Sequence, residues 1–202
     1  MIVDVGKIGP DYISGHAHSD TFSFEMYVNN KPFIVDSGVS TYENIPLRFK
    51  QKSTESHNTV QVENFEQSEI WSSFRVARRA YVKDVKAGNA YVEGEHTGYK
   101  KIGAIHRRKF KFSDDCVKIS DKIVSKNNYD CFAYFHFYPN IKLQINNPIV
   151  YINGIKMMFN NYDSIKLKNY LYSPEFNKQI GSQVLKIKFQ SNKLLTTKIE
   201  IS

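Results

Sequence analysis

No run of apolar residues in this 202-residue sequence reaches the length of about 18 that a membrane-spanning helix requires. No segment keeps a helical period of apolar residues over several turns, so a helical architecture is not expected. Lys and Arg are scattered and never form a block of about five, which argues against a basic tail for nucleic acid. Residues 1–7 (MIVDVGK) also lack the charged start and the long apolar stretch of a signal peptide.

Cysteine is scarce, with only Cys116 and Cys131 in the chain. Both lie in apolar segments of β type, and free cysteine behaves as a small hydrophobic residue, so two buried thiols are the favoured interpretation. A disulfide has no support, because a hairpin turn at Asn127 and Asn128 would leave the two side chains facing away from each other. The two cysteines therefore do not identify the cellular compartment.

The composition is that of a folded domain with a basic surface. Hydrophobic residues make up 41% of the chain and aromatic residues 14%, which allows a sizeable core and argues against disorder. The formal net charge is +8. Such a charge attracts anionic partners, namely nucleic acid, acidic lipid or acidic polysaccharide, and does not choose among them.

Short segments with the alternation and residue content of strands follow one another along the chain, separated by Gly, Asn, Asp and Ser. They predict an all-β domain over residues 1–202, built as a two-sheet antiparallel β-sandwich. A helical turn is expected only between Pro46 and Ser53, and the Asn- and Lys-rich part from about Asn140 is interpreted as strands and loops of the same domain. The predicted strands are residues 22–28, 32–36, 57–63, 80–82, 90–94, 106–112, 116–124, 131–137, 149–152, 157–159, 184–189 and 194–201.

The segment most suggestive of chemistry contains His16 and His18. On a strand, imidazoles at i and i+2 point to one face, and two histidines on one face are a common start to a zinc site. Asp36, which closes an apolar run, and His57 are candidates for the further ligands. Alternatives remain open: the histidines can be a surface or core pair, Asp36 a turn residue, and His57 a capping or hydrogen-bonding group.

Several motifs follow one another in a defined order through about residues 1–140. They are GHAHSDTFSFE from Gly15, IVDSGVSTYE from Ile34, SHNTV from Ser56, QSEIW from Gln67, FRVARR from Phe74, HTGY from His96, HRR from His106 and ISD from Ile119. Together they resemble the sandwich domain of heparinase II/III-like polysaccharide lyases. The number and order of the motifs make this resemblance far more specific than any one of them.

The resemblance implies an N-terminal (α/α) toroid, a C-terminal two-sheet sandwich and an active site in the cleft between them. The implied reaction is β-elimination on a glycan that contains uronic acid, in which a base removes the proton next to the sugar carboxylate. Carried over residue by residue, His16 is the implied catalytic residue. The implied ligands of Zn²⁺ are His18, Asp36 and His57, and the metal is expected to order the strands rather than act as a Lewis acid.

The sequence departs from the family because it contains no helical half, and family members carry further catalytic residues on the toroid. We therefore expect a fragment, a truncated product or an excised domain with little or no lyase activity alone. The implied partners are an acidic polysaccharide and the missing toroid domain. The implied location is the periplasm or the medium.

Other residues of the same segments are weaker candidates. Tyr42 is a candidate acid or base, and the alternative is an aromatic residue packed at a strand end. Trp71 can stack on a sugar or belong to the core. Four arginines are candidates for binding sugar carboxylates or sulfates, although each can also be an ordinary solvated side chain: Arg48, Arg75, Arg78 and Arg79.

Two functions of other classes remain open. A cupin-like metal enzyme shares the H-x-H pattern, but Glu25 stands seven residues after His18, where cupins place a glutamate about four residues on, and their later Gly- and Pro-rich histidine motif is missing. A non-catalytic sandwich that binds acidic glycan or packs against a partner domain would not need the residues proposed for zinc. Bound zinc would favour the lyase relation, and an empty site would favour the binding module.

Overall fold

The computed structural model describes residues 1–10 and 12–201, and within them the chain is almost entirely β-structure. One α-helix, α1, spans Pro46–Lys52, and short 3₁₀ helices span Thr54–Ser56 and Lys100–Ile102. The strands are β1 Ile2–Val3, β2 Phe24–Val28, β3 Lys31–Ile34, β4 Val60–Val62, β5 Ile70–Ser72, β6 Arg75–Val76, β7 Val82–Gly88, β8 Tyr91–His96, β9 Ala104–Phe112, β10 Cys116–Ser125, β11 Asp130–His136, β12 Leu143–Asn146, β13 Ile149–Ile152, β14 Ile155–Asn160, β15 Ser164–Tyr172, β16 Ile180–Gln190 and β17 Leu194–Glu200.

Two large antiparallel sheets form the body of the structure. The eight-stranded sheet has the order β12-β13-β14-β17-β10-β9-β8-β7, and the four-stranded sheet has the order β15-β16-β11-β4. The three-stranded sheet β1-β2-β3 and the hairpin β5-β6 complete the described strands. Both large sheets take strands from the first and the last part of the chain, so the Asn- and Lys-rich segment is built into the same sheets.

The sheets pack face to face through aromatic side chains, which confirms the all-β sandwich. The ring centroid of Phe24 on β2 lies 5.5 Å from that of Phe110 in the larger sheet and 6.2 Å from that of Phe135 in the smaller sheet. Phe135 also contacts Phe159 of β14 at 5.9 Å. These rings are at most 2% exposed and meet edge to face, as aromatic pairs in cores prefer.

Both cysteines are free thiols, but two details of the sequence interpretation are wrong. Cys131 is buried, whereas Cys116 is only partly buried. Asn127 and Asn128 do not close a hairpin, because β10 belongs to the eight-stranded sheet and β11 to the four-stranded sheet. The chain passes from one layer of the sandwich to the other at this point.

The helical turn expected between Pro46 and Ser53 is confirmed as α1. Proline suits the first turn of a helix, because its missing N–H has no partner there. The helix buries the polar side chains of Arg48, Gln51 and Lys52, of which Arg48 and Lys52 contact residues of the site described below. In the part of the chain that the structure describes, no helix is long and apolar enough to cross a membrane.

Candidate active site

His16 and His18 lie in a loop, so the expectation that they share one face of a strand is wrong. Residues 15–16 form a turn. Lys52 holds this turn, because its ammonium donates hydrogen bonds to the carbonyl of Gly15 at 3.1 Å and to the carbonyl of Ser73 at 3.0 Å. The two-residue alternation of a strand therefore does not apply, and the two imidazoles enter different surroundings.

His16 is exposed at a groove of about 780 Å³ that Phe74 and Arg75 also line. Its imidazole meets the rings of Tyr42 and Phe74 edge-on, with ring centroids 5.9 Å and 5.4 Å away. Within the described residues, neither the imidazole of His16 nor the hydroxyl of Tyr42 takes part in a hydrogen bond. Both groups are therefore available to exchange a proton with a ligand.

Arg48 connects this exposed pair to the interior. Its side chain is 1% exposed, and its guanidinium carbon lies 5.2 Å from the ring centroid of Tyr42, where the ring face attracts a cation. One terminal nitrogen lies 3.4 Å from Nε2 of His18. The Nε–H of Arg48 has no hydrogen-bond partner among the described residues, so this buried guanidinium has one donor that could bind a further group.

His57 and Asp36 form an ion pair in the same cluster. Nδ1 of His57 lies 2.6 Å from Oδ2 of Asp36, and the other carboxylate oxygen accepts the N–H of Gly38 at 2.9 Å. Burial opposes protonation of His57, but the charge of Asp36 and their hydrogen bond outweigh it and raise the pKa of His57 to about 9. Burial likewise opposes ionisation of Asp36, yet His57 holds the pKa of that carboxyl below its usual range. The pair is therefore charged at neutral pH.

His18 completes the cluster as a neutral imidazole. Its ring centroid lies 5.2 Å from that of His57. Burial, reinforced by the positive charge of His57, lowers the pKa of His18 to about 3. The structure thus brings together the three residues that the sequence grouped as metal ligands, His18, Asp36 and His57.

The residue types of this cluster fit zinc, but the positions of the side chains do not form a ready metal site. Two imidazoles and a carboxylate are zinc-type donors, and the buried Nε2 of His57 lacks a partner among the described residues. However, Asp36 contacts His57 directly, and the guanidinium of Arg48 lies beside His18. Across residues 1–10 and 12–201, no group of three or more His, Cys, Asp and Glu side chains is arranged to hold a metal ion.

The loop that carries Asp36 is fixed by a close backbone approach at Gly38. Gly38 has a φ of 76°, and a Cβ atom there would lie 1.9 Å from the carbonyl oxygen of Ser173. The N–H of Ser173 donates to the carbonyl of Ser37 at 2.8 Å. Only glycine combines this conformation with this contact, so the turn at Asp-Ser-Gly also positions the carboxylate.

Asn58 ties the loops of the site together, and the sequence interpretation gave it no role. Its side-chain amide donates to the carbonyl of Val35, the residue before Asp36, at 2.9 Å. Its side-chain oxygen accepts the backbone N–H of His136 at 2.7 Å. Because Asn58 follows His57 directly, these bonds set the relative position of the two residues that form the ion pair.

Arg108 and Asp121 support Asn58 from the eight-stranded sheet. Arg108 donates to the backbone carbonyl of Asn58 at 2.6 Å and pairs with both oxygens of Asp121, at 2.6 Å and 3.0 Å. His106 adds a hydrogen bond to Asp121 at 2.7 Å and lies 3.0 Å from a ring nitrogen of His96. Burial opposes ionisation of Asp121, but Arg108 and His106 lower the pKa of the carboxyl to about 2. The buried carboxylate is therefore ionised and its hydrogen bonds are satisfied.

The remaining candidates divide into exposed and internally bonded side chains. Trp71 is 61% exposed, so the alternative that it belongs to the core is wrong. Arg75 is exposed in the groove. Arg78 instead donates its guanidinium N–H groups to three backbone carbonyls, and Arg79 donates to the carbonyl of Pro10 at 2.9 Å. The fold therefore already uses three of the five guanidinium N–H donors of Arg78, which argues against the expectation that this residue binds sugar.

A β-sandwich that brings His18, Asp36 and His57 together is the architecture that the resemblance to the lyases implied. The sequence matches the family described as Heparinase II/III-like, C-terminal, over residues 1–199, and the chain belongs to this family. The match extends well beyond residue 140 and decides against the cupin-like alternative. No curated protein matches the chain.

Solved structures share the fold. A heparan sulfate lyase HepC mutant from Pedobacter heparinus has a TM-score of 0.73 at 16% identity, covering 98% of this chain and 32% of that one. The heparinase III-BT4657 gene product with methylated lysines has a TM-score of 0.66 at 18% identity, covering 91% and 30%. A heparinase III has a TM-score of 0.68 at 16% identity, covering 95% and 31%. This chain thus spans about a third of the length of the solved structures it matches.

Proposed function

We propose that this chain is the sandwich part of an enzyme that cleaves a polysaccharide containing uronic acid by β-elimination. Membership of the heparinase II/III-like family and the likeness to a heparan sulfate lyase support this class of reaction and substrate. The observation that carries the proposal is that His16 and Arg75 line one groove, while Tyr42 contacts the ring of His16 and packs against the buried Arg48.

The reaction needs a base, an acid and a cation, and the groove together with the adjoining Tyr42 offers all three. A base takes the proton on the carbon next to the sugar carboxylate. The electron pair of that C–H bond forms the new C=C bond as the C4–O bond breaks, and the leaving oxygen takes a proton from the acid. His16 and Tyr42, with ring centroids 5.9 Å apart, serve as this proton acceptor and donor. Arg75 neutralises the carboxylate, which stabilises the negative charge that develops beside it.

The remaining wall of the cleft is proposed to come from a toroid domain outside this chain. We therefore expect turnover from the longest natural form of the protein and little or none from residues 1–202 alone. Turnover of a uronate polymer by the isolated chain would contradict that expectation. Binding of the polymer without turnover by either form would favour the non-catalytic, glycan-binding alternative.

The roles of His16 and Tyr42 are tested in the longest natural form of the protein, by following the ultraviolet absorbance of the unsaturated uronate product with heparan sulfate and alginate as substrates. His16→Ala and Tyr42→Phe should each lower kcat by about 10²–10⁴, the range for loss of an acid or base. Tyr151→Phe, at an exposed tyrosine of β13, is the matched control and should leave kcat unchanged. A loss of less than about twofold in either test variant, with the fold intact by circular dichroism, would remove that residue from the mechanism.

Zinc bound by His18, Asp36 and His57 is the second part of the proposal, with the metal ordering the loops of the site. The donor types and the unpaired buried Nε2 of His57 support it. Zinc content of the purified chain should be about one ion per chain, lost in His18→Ala and kept in His16→Ala. If the unmodified chain, His18→Ala and His16→Ala are all folded and contain no zinc, the assignment is wrong. The cluster would then consist of the Asp36–His57 ion pair and His18 without a metal.

A further inference from the structure

The outer face of the eight-stranded sheet carries an ordered set of basic side chains. Because successive residues of a strand point to opposite faces, Arg107, Lys109 and Lys111 of β9 all point away from the core, as do Lys118 and Lys122 of β10. These five side chains line a groove of about 630 Å³. The groove is separate from the one beside His16.

The strand register places these cations in rows that run across the sheet. In one row, Lys111, Lys118 and Lys198 lie directly opposite one another on β9, β10 and β17. In a parallel row, Arg107 lies opposite Lys122. Neighbouring cations within a row are separated by the spacing of adjacent strands, about 4.8 Å. The two rows are separated by four residues along a strand, about 13 Å, so the strip between them is wide enough for an extended polymer.

The protein neutralises this charge only in part. Arg107 pairs with Glu95 at 2.8 Å, Lys109 pairs with Glu93, and Lys198 pairs with Glu200 at 2.6 Å. Lys111, Lys118 and Lys122 take part in no salt bridge or hydrogen bond within the described residues. Like charges directly opposite each other destabilise an antiparallel pair of strands. A face that keeps such pairs gains stability when an anion binds to it.

The strip between the two rows carries groups that suit sugar hydroxyls. It consists of Glu93, Lys109, Ser120, Thr196 and Asn160, which lie opposite one another on successive strands. A carboxylate, two hydroxyls and an amide can donate to or accept from hydroxyl groups. The carboxylate of Glu93 repels the anionic groups of either polymer, but it can accept hydrogen bonds from the hydroxyl groups of an acidic polysaccharide, which the sugar-phosphate backbone of duplex DNA does not offer.

Arg108 shows that this face lies opposite the candidate active site. It stands between Arg107 and Lys109 on β9 and points inward, donating to the carbonyl of Asn58. Its two neighbours must therefore point to the other side of the sheet. Polymer bound on the outer face cannot reach His16 through the sandwich.

We propose that this face, formed by Arg107, Lys111, Lys118, Lys122 and Lys198, is a second binding site for acidic polysaccharide. It holds one segment of the polymer, bearing carboxylates or sulfates, while another segment is free to occupy the groove of His16. The proposal depends on the charge and register of the sheet and does not require the reaction proposed above.

The test is the affinity of the chain for a size-defined heparin oligosaccharide, measured by titration calorimetry at several salt concentrations. The triple variant Lys111→Gln, Lys118→Gln and Lys122→Gln should lose about tenfold or more in affinity, with a weaker salt dependence, because fewer counterions are released on binding. A control with the same change in net charge should lose less than about twofold; it replaces three exposed lysines outside the face by Gln: Lys100, Lys101 and Lys126.

Three results would overturn the proposal. Equal losses in the test and control variants would mean attraction by net charge alone. No loss in the test variant would place the oligosaccharide elsewhere. Duplex DNA that binds as tightly and with the same sensitivity would mean a general polyanion surface. The catalytic proposal is tested by kcat in the variants of His16 and Tyr42, and this proposal is tested by the affinity of the lysine variants, so a failure of one is distinguishable from a failure of the other.

Discussion

Replacing Asp121 by Asn tests whether buried charge holds the core under the candidate active site. Asn has nearly the same shape as Asp, so the change opens no cavity and removes mainly the negative charge. Arg108 then keeps a buried guanidinium whose remaining partners are the neutral carbonyls of Phe22 and Asn58, at 2.8 Å and 2.6 Å. Removing one partner of a buried ion pair costs about 3–5 kcal/mol, because the other charge stays desolvated.

The assay is equilibrium unfolding in urea followed by circular dichroism. With a slope of about 2 kcal/mol per molar urea, Asp121→Asn should lower the unfolding midpoint by roughly 1.5–2.5 M. Glu95→Gln is the matched control. Glu95 pairs with Arg107, the neighbour of Arg108 on β9, and the side chain of Arg107 is 60% exposed. Exposed pairs contribute about 0–1 kcal/mol. A loss for Asp121→Asn no larger than for Glu95→Gln would refute the argument that the buried network stabilises the fold.

Three further predictions follow from burial and backbone geometry. Burial lowers the pKa of His136 to about 3 and that of His96 well below its usual range. Histidine in the unfolded chain titrates near 6.5, so below that pH the unfolded state takes up a proton that the folded state does not. The contribution of each histidine to the free energy of unfolding is therefore complete above pH 6.5 and falls as the pH drops. From pH 7.5 to 5.5 each such histidine should cost about 1.4 kcal/mol, so His136→Gln should remove about that much of the pH dependence seen in urea unfolding, and an unchanged dependence would contradict it. Gly38→Ala should cost at least about 2 kcal/mol because of its positive φ and backbone contact, whereas Gly181→Ala, with nothing within 4 Å of its Cβ position, should stay within about 0.5 kcal/mol in the same assay. Trp71→Ala should weaken glycan binding about tenfold without changing stability, because the exposed indole is proposed to stack on a sugar ring. An unchanged affinity in calorimetry would mean that Trp71 does not contact the glycan.

The strands that the sequence predicted best are those with one face in the core. In β9, buried Phe110 alternates with exposed Lys111, and in β10 buried Ile119 alternates with exposed Lys118. Strand β15, Ser164–Tyr172, was missed because it lies at the edge of the four-stranded sheet and none of its residues is buried. An edge strand with little buried surface has no hydrophobic period to detect.

The grouping of the site residues was predictable, while the way they are held was not. Motif order pointed to His18, Asp36 and His57, which do lie together in the structure. The strand assumed for the histidine loop was wrong because Lys52, distant in sequence, binds the carbonyl of Gly15 and holds a turn. A contact of this kind depends on the tertiary fold and leaves no periodic signal in the local sequence.

The buried Arg108 is a different case, because the alternation of β9 already indicates its burial. Arg108 falls on the same side of the β9 alternation as His106 and Phe110, both fully or nearly fully buried. A charged residue on the apolar side of a strand requires a buried partner of opposite charge, and Asp121 occupies the same side of β10, where Ile119 and Ile123 are buried. The pair could have been inferred from the two alternation patterns alone.

One strand, β9, therefore serves both proposed sites through opposite faces. Arg108 points inward and supports the loops around His57, so a change there should alter stability and the candidate active site together. Arg107 and Lys111 point outward to solvent, where single charges contribute little to stability. Changes on the outer face should alter polysaccharide binding, change the unfolding midpoint only slightly and leave the zinc content unaffected. Alternation within a single strand thus separates the residues that build the fold from those proposed to hold the polymer.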